Sequence, residues 1–340
     1  MAKERNYLFD NYKVFLIYLV VLGHFVSPSF HETEFLTGVK WFIFAFHMPA
    51  FMFASGFFSK KEKTFLDLVQ KLLIPYLIFE LLYYFTYVAI GKDTEMAILY
   101  PKFTLWFLLS LFWYKLISKI LLKLKISPVA MVVGAVIFAM AWACVDTKGS
   151  FLTNQRAVYF FPYYLLGMYM NMDHVEKLRS GVWKKIAWVV IGIFILFLAF
   201  EPIHKDMTIA VTYGRYSYHS LGFTIPEGLF IKACCYVGGF LVTLAFLSVM
   251  PSKKTKLSWI GPNTLAVYLF HGLFFKIIET KTTILQDLNT PISNLVLLLV
   301  CGIVTYVFAL KPFNAITNAF SSVPIDKILK KNKIIYRERN

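Results

Sequence analysis

The chain has 340 residues, of which 58% are hydrophobic, 18% aromatic and only 16% charged, yet its formal net charge is +16. Soluble domains carry about 25% charged residues, so the composition excludes a globule around one core and indicates a polytopic membrane protein. A basic balance can signal nucleic acid, but the lysines and arginines form no basic amphipathic domain, zinc module or aromatic–basic RNA motif, and that class is set aside.

The N-terminus, MAKERN followed by an apolar run, has the outline of a signal sequence. No convincing small-residue cleavage site follows, since the run continues into Phe25-Val26-Ser27-Pro28, so the first span is expected to be retained. A span needs about 20 mostly apolar residues, and lipid forces it to satisfy its backbone internally as a helix. Ten segments qualify, at roughly 12–29, 38–58, 68–90, 102–122, 128–146, 156–172, 184–201, 226–249, 262–280 and 292–312. The expected fold is therefore all-α, a polytopic bundle of about ten transmembrane helices. It occupies residues 1–320 and precedes a basic tail, 321–340, that lies against anionic headgroups.

Ten spans put both termini on one side. With that side inside, the inner segments collect 25 of the 35 Lys and Arg residues, so the positive-inside rule places both termini in the cytoplasm. The same distribution explains most of the net charge without a partner. The longest outer loop, about 202–225, reads HKDMTIAVTYGRYSYHSLGF and has the length of a lid or binding segment. Cys144, Cys234, Cys235 and Cys301 sit in apolar segments without metal-ligand spacing and read as buried thiols.

Ionisable residues inside a membrane are costly and tend to be functional. The first span opens DNYKVFLIYLVVLGH, residues 10–24. Lys13 and His24 are eleven positions apart, about 20° past three full turns, and so share a face over roughly 16 Å of axis. Asp10 falls on the same face. Each also has a bland reading: an N-cap for Asp10, an interfacial snorkelling lysine for Lys13, an interhelical hydrogen bond for His24. In FAFHMPAFMFASGFF, His47 lies near mid-depth, Pro49 is placed to break the helix, and Ser55-Gly56 allows close packing. His271 lies midway along GPNTLAVYLFHGLFF. No acidic or cysteine ligand accompanies the three histidines at regular spacing, so no metal is expected. A general base suits a neutral imidazole better. Glu80 is expected to face the bundle interior. Arg156 opens the sixth segment from outside, and Asp206, Arg215, His219 and Glu227 flank the outer loop. Solvated charge is the default for these, with acceptor binding as the alternative for Arg156, Arg215 and His219. Tyr213, Tyr216 and Tyr218 are candidates for stacking on sugar rings.

The Lys13-x10-His24 pair preceded by Asp10 resembles the Arg/Lys-x10-His motif of the acyltransferase-3 family of membrane O-acyltransferases. WFIFAFHMPAFMFASGFF resembles the family's second-helix segment, and KLLIPY (Lys71 to Tyr76) its basic-x-x-x-Pro-Tyr element. LWFLLSLFW and FFPYYLLGMYM look like its middle helices, and NTLAVYLFH its late Ser/Thr-Leu-x-x-Tyr-x-x-His segment. The order of these elements carries the resemblance, which extends over nearly the whole chain and is nearest to the fucose 4-O-acetylase type of sugar acetylases. It implies acetyl-CoA, or another acyl-CoA, as cytoplasmic cosubstrate and a sugar hydroxyl of a lipid-linked or surface glycan as acceptor. It also implies a multi-pass protein of the bacterial plasma membrane. Under it, Lys13 and Lys71 hold the donor, His24 is the base with Asp10 in the catalytic set, and His47, Ser55 and His271 are oxyanion or substrate candidates. The alternative is a multi-pass transporter or exporter of a glycan precursor or small polar solute. Against it, the halves show no paired interrupted segments and no span carries a carboxylate relay.

Overall fold

The computed structural model describes residues 6–60, 64–147, 151–199 and 209–323. Asp206 and all but the first three residues of the expected basic tail lie outside the described residues. Every regular element among the described residues is helical. In chain order these are α1 (Leu8–Val26), α2 (Glu34–Phe57), α3 (Phe65–Ala89), α4 (Trp106–Leu121), α5 (Pro128–Trp142), α6 (Asn154–Tyr169) and the short α7 (Met172–Leu178). There follow α8 (Gly181–Ala199), α9 (Ile225–Val249), α10 (Thr264–Lys281), α11 (Pro291–Phe308) and α12 (Lys311–Ser321). A π-helical turn, Val69–Leu73, interrupts α3.

Each of the ten expected segments holds a helix, but among the described residues six are long and apolar enough to cross a membrane: α1, α2, α3, α8, α9 and α11. Helices α4, α5 and α6 run 16, 15 and 16 residues. At 1.5 Å per residue they reach about 24 Å, short of the ~30 Å hydrocarbon layer. Helix α10 has 18 residues but carries Lys276, Glu279 and Lys281. The segment expected at 292–312 stops at Phe308, and a separate α12 begins at Lys311 with Pro312 in its first turn, where no backbone donor is needed.

Helix starts follow local chemistry. Thr64 with Asp67, Thr224 with Glu227 and Thr290 with Ser293 form reciprocal capping boxes. Ser127 caps α5 just ahead of Pro128. The expected break at Pro49 is absent: α2 runs unbroken through it. Proline removes one donor from the ladder, but α2 packs against α1, α6 and α9 and stays helical through that position.

The molecule is apolar on the outside. Helix α1 is the central pillar, with 72% of its span buried, whereas α8 is 11% buried. Helix α8 turns Val182, Trp188, Val189, Ile193 and Leu196 outward, and α11 turns Ile292, Leu295, Leu299 and Ile303 outward. Faces of this extent are unfavourable in water and matched in hydrocarbon, so the protein is a membrane protein. The closest seam is between α2 and α6. A Cβ on Gly56 would stand 1.9 Å from the Tyr164 carbonyl oxygen, and one on Gly167 1.9 Å from the Phe53 carbonyl oxygen. Backbone meets backbone there, which only glycine permits. All four cysteines are free. Cys301 is buried, but Cys144, in the turn after α5, and Cys234, on α9, are exposed on the bundle surface rather than buried as expected.

Candidate functional site: two cavities meeting at His24

Positions 13, 17, 20 and 24 of α1 recur at helical spacing and form one wall of a cavity of about 350 Å³. The opposite wall comes from Phe51 and Ser55 of α2, Phe107, Leu111 and Lys115 of α4, and Tyr268 of α10. Most of the lining is apolar, with Lys13 and Lys115 as its ammonium groups. Lys13 is paired with Asp10 at 3.4 Å. Beyond Lys115 lies a basic vestibule, about 750 Å³, bordered by Lys60, Lys115, Lys119 and Lys123.

A second cavity, about 430 Å³, lies on the other side of His24. It is polar. Lys40 and His47 of α2, Thr153, Gln155 and Arg156 around the start of α6, and Tyr213, Arg215 and Tyr216 of the following loop all face it. His24, Met48 and Trp106 border both cavities and form the waist between them. Vestibule, inner cavity and outer cavity therefore stand in series.

His24 is half-buried, with its ring centroid 4.6 Å from Phe103, 5.4 Å from His271 and 6.0 Å from Phe275. No side-chain hydrogen bond occupies its nitrogens among the described residues. The other two histidines differ. His47 Nδ1 lies 2.7 Å from the Ile43 carbonyl oxygen and His271 Nδ1 2.8 Å from that of Val267. A ring nitrogen beside a carbonyl must carry the hydrogen, which leaves Nε2 of each neutral ring as the acceptor. Nε2 of His271 is buried without a partner among the described residues. The three histidines do not make a metal-holding group; no cluster of three or more His, Cys, Asp or Glu of that kind occurs among the described residues.

Loops close the outer cavity under strain. Phe103 has φ +47° and Thr153 φ +59°, left-handed values that a bulky or β-branched residue adopts at a cost of roughly 1–3 kcal/mol. The Phe103 loop is clamped by Glu80, which is 1% exposed and accepts from Lys102 N at 2.6 Å while facing Lys102 Nζ at 3.6 Å. Gly214, at φ +60°, lets the 213–216 loop lie on the Tyr159 ring, where a Cβ would come within 2.3 Å. Burial raises the Tyr213 phenol to about 12, so it stays a neutral donor. On the rim, Asp146 accepts from Ser217 and Ser220 and pairs with His219 at 3.2 Å. The Ser217 hydroxyl above all, then Ser220 and His219, hold its carboxyl below the usual range.

The structure thus brings Lys13, His24 and Ser55 to one cavity and His24, His47, Arg156 and Arg215 to the next. It corrects other expectations. Asp10 lies fourteen residues from His24, about 21 Å along the axis, and touches Lys13, so any part it plays is through that lysine. Ser55 lines the inner cavity about 12 Å along α2 from the level of His47, toward the lysine end and away from the waist. Lys71 is exposed and borders none of the three spaces; the ammonium groups at the vestibule are those of Lys60, Lys115, Lys119 and Lys123. His219 points outward onto Asp146, away from the outer cavity. His271 is fully buried behind His24 and faces neither cavity. Of the tyrosines, Tyr213 and Tyr216 face the cavity, while Tyr218 donates to the Met140 carbonyl.

Lys40, Lys115 and Trp106 escape the sequence reading, where the lysines count only as topological charge. Spacing holds the signal: Lys40, Phe44 and His47 recur as i, i+4, i+7, and Phe107, Leu111 and Lys115 as i, i+4, i+8. No curated protein and no solved structure matches the chain. A family model does, the acyltransferase domain of the acyltransferase-3 type, and it matches residues 6–310. That match takes in nearly the whole chain, every helix bordering the cavities included, and the protein therefore belongs to the acyltransferase-3 family.

Proposed function

We propose that this membrane acyltransferase moves an acetyl group from cytoplasmic acetyl-CoA to a sugar hydroxyl of a lipid-linked or surface glycan, with His24 as general base. The observation that carries the reading is the position of His24 on the wall of both cavities. The inner cavity suits the donor. The basic vestibule and Lys13 offer charge-assisted partners to nucleotide phosphates, and the mostly apolar bore beyond them matches a pantetheine arm in length. The thioester then reaches the waist. The acceptor hydroxyl enters from the outer cavity; His24 takes its proton as the oxygen attacks the thioester carbonyl carbon. When the C–S bond breaks, the proton passes to the departing thiolate, and free CoA, the ester and a neutral His24 remain. His47 faces the outer cavity with Nε2 as an acceptor, and so is a candidate to take a hydrogen bond from an acceptor hydroxyl rather than to steady the oxyanion.

The membrane arrangement that goes with this reading is a ten-span bundle with both termini cytoplasmic in the bacterial plasma membrane, the three shortest helices spanning where the bundle thins the bilayer. The lysine-rich vestibule at the cytoplasmic end supports it through the positive-inside rule. The sugar-acetylating branch of the family fits a polar, aromatic-walled outer cavity. The test uses the full chain in nanodiscs with labelled acetyl-CoA and extracted glycans. Wild type transfers label and releases free CoA, and His24→Ala retains the fold and loses transfer. Transfer retained in His24→Ala refutes the base assignment, and solute movement across proteoliposomes without release of CoA replaces the enzyme with a transporter.

A further inference from the structure

The outer cavity has a charge imbalance that acetyl transfer to a neutral sugar does not require. Among the described residues its wall carries Lys40, Arg156 and Arg215 and not one Asp or Glu. Lys40 is only 4% exposed, and its Nζ sits 3.3 Å above the Phe30 ring. The Arg156 guanidinium stacks on Trp106 at 4.8 Å, and its Nε is buried without a hydrogen-bond partner among the described residues. Arg215 is exposed at the mouth, over Tyr216. None of the three has a carboxylate within ion-pair distance among the described residues. Elsewhere in the bundle the protein does supply one: Asp10 to Lys13, Glu80 to Lys102, Glu279 to Lys276. Taking a cation out of water without a counter-charge is unfavourable, and gathering three around one cavity adds their mutual repulsion. Aromatic faces recover part of this but leave the guanidinium donors unfilled. A planar fork with free N–H groups beside a second guanidinium is the arrangement that recognises phosphate or carboxylate.

We propose that the outer cavity binds an oxyanion carried by the acceptor, so that the hydroxyl acylated at His24 belongs to an anionic glycan or glycan carrier. Arg156 and Arg215 clamp the anion, and Lys40 sets the field of the cavity. The inference rests on the outer cavity being the acceptor side. Trp106 links the two functions: it stacks on Arg156 and borders the waist, so the anion's seat lies one side chain from His24. The shared chemistry has two sources, a phosphate linking sugar to lipid or polymer, and the carboxylate of an acidic sugar.

The test is direct binding to the purified full chain in nanodiscs, without CoA, using glucose, glucuronate and glucose 1-phosphate as probes. The expected result is binding of at least one anionic probe more tightly than glucose by about tenfold or more. Arg215→Gln and Arg156→Gln each reduce it about tenfold, and Arg156→Lys restores part of the loss. A preference for glucose 1-phosphate over glucuronate names the phosphate as the source, and the reverse order names an acidic sugar; either supports the proposal. Because Arg156 is partly buried, the exposed Arg215 keeps the test valid if Arg156→Gln fails to fold. Equal affinity for the three probes, or anion affinity unchanged in Arg215→Gln, overturns it, as does displacement of glucose 1-phosphate by adenosine 3′,5′-bisphosphate, which would make the outer cavity a nucleotide site. Failure of acetyl transfer while anion binding persists strikes the enzymatic reading alone.

Discussion

The inner and outer cavities share His24, Met48 and Trp106, yet they are built from opposite materials. The inner one is a mostly apolar bore between regular helices, with its ammonium groups, Lys13 and Lys115, displaced to the vestibule end. The outer one is a polar basin closed by loops, with left-handed Phe103 and Thr153, a glycine-dependent turn at Gly214 and three cations without acidic neighbours among the described residues. A bore between helices has one shape and suits a ligand that is always the same, as a nucleotide thioester is. Loops vary without disturbing the bundle, so on the proposed reading the acceptor side is where specificity can change while the donor side and the base stay put.

The largest expected effect strikes the residue the two cavities share. His24→Ala should lower transfer by about 10²–10⁴-fold, the range general base catalysis supplies, with donor and acceptor binding retained. Steady-state kinetics in nanodiscs and a donor-binding isotherm check both halves. Loss of donor binding in step with activity would mean that His24 shapes the bore rather than moving a proton. Next comes a change that should damage both cavities through the fold. Helix α2 lines the outer cavity with Lys40 and His47 and the inner one with Phe51 and Ser55, and Gly56 fixes it against α6. Gly56→Val would drive a side chain into the Tyr164 carbonyl and should cost roughly 3 kcal/mol or more, seen as a lowered thermal midpoint in detergent. An unchanged midpoint would show that α2 and α6 have slack there.

How much of this was legible beforehand follows from where periodicity applies. Lys13 and His24 sit on one unbroken helix, so their common face is fixed by 3.6 residues per turn, and the cavity that joins them follows that line. Gly56 beside Ser55 marks a close crossing in the same local way. The ten helices are legible because an apolar run is a local property; whether a 15-residue helix such as α5 spans depends on bilayer and neighbours. Pro49 misleads because proline reports a lost donor and not the packing around a helix that continues through it. Lys40, Trp106 and Arg215 come to one cavity from three distant segments, and no spacing rule connects them. His219 misleads for the reverse reason, since a histidine in a polar loop looks available until the Asp146 carboxylate claims it.

A smaller effect should separate the two cavities. Lys13→Met keeps length and apolar bulk but removes the ammonium. It should raise KM for acetyl-CoA about tenfold, one charge-assisted contact, and leave KM for the acceptor near the wild-type value. A matched rise in both would show that the cavities are not separate sites. The variant also removes the Lys13 ammonium from beside Asp10 at the start of α1, so Asp10→Asn in the same background is the control: if it restores the donor KM, the ammonium acts by neutralising Asp10 and not on the donor.

The smallest effect belongs to the rim. Asp146 ties the 217–220 segment to the turn after α5 through Ser217, Ser220 and His219. Asp146→Asn keeps the shape and removes the charge, and should speed amide exchange across 217–222 a few-fold with little change in transfer. The pH sign follows from the lowered carboxyl. A depressed acid contributes order fully above its ordinary value, near 3.9, and loses it only as pH falls through the folded value. Exchange in this segment, corrected for intrinsic rates, should therefore be flat from pH 8 to about 5 and rise only in stronger acid. A rise that begins well above pH 5 would show that a group other than the Asp146 carboxyl controls the rim, and the outer cavity would then have a mouth that answers to milder pH than that carboxyl can.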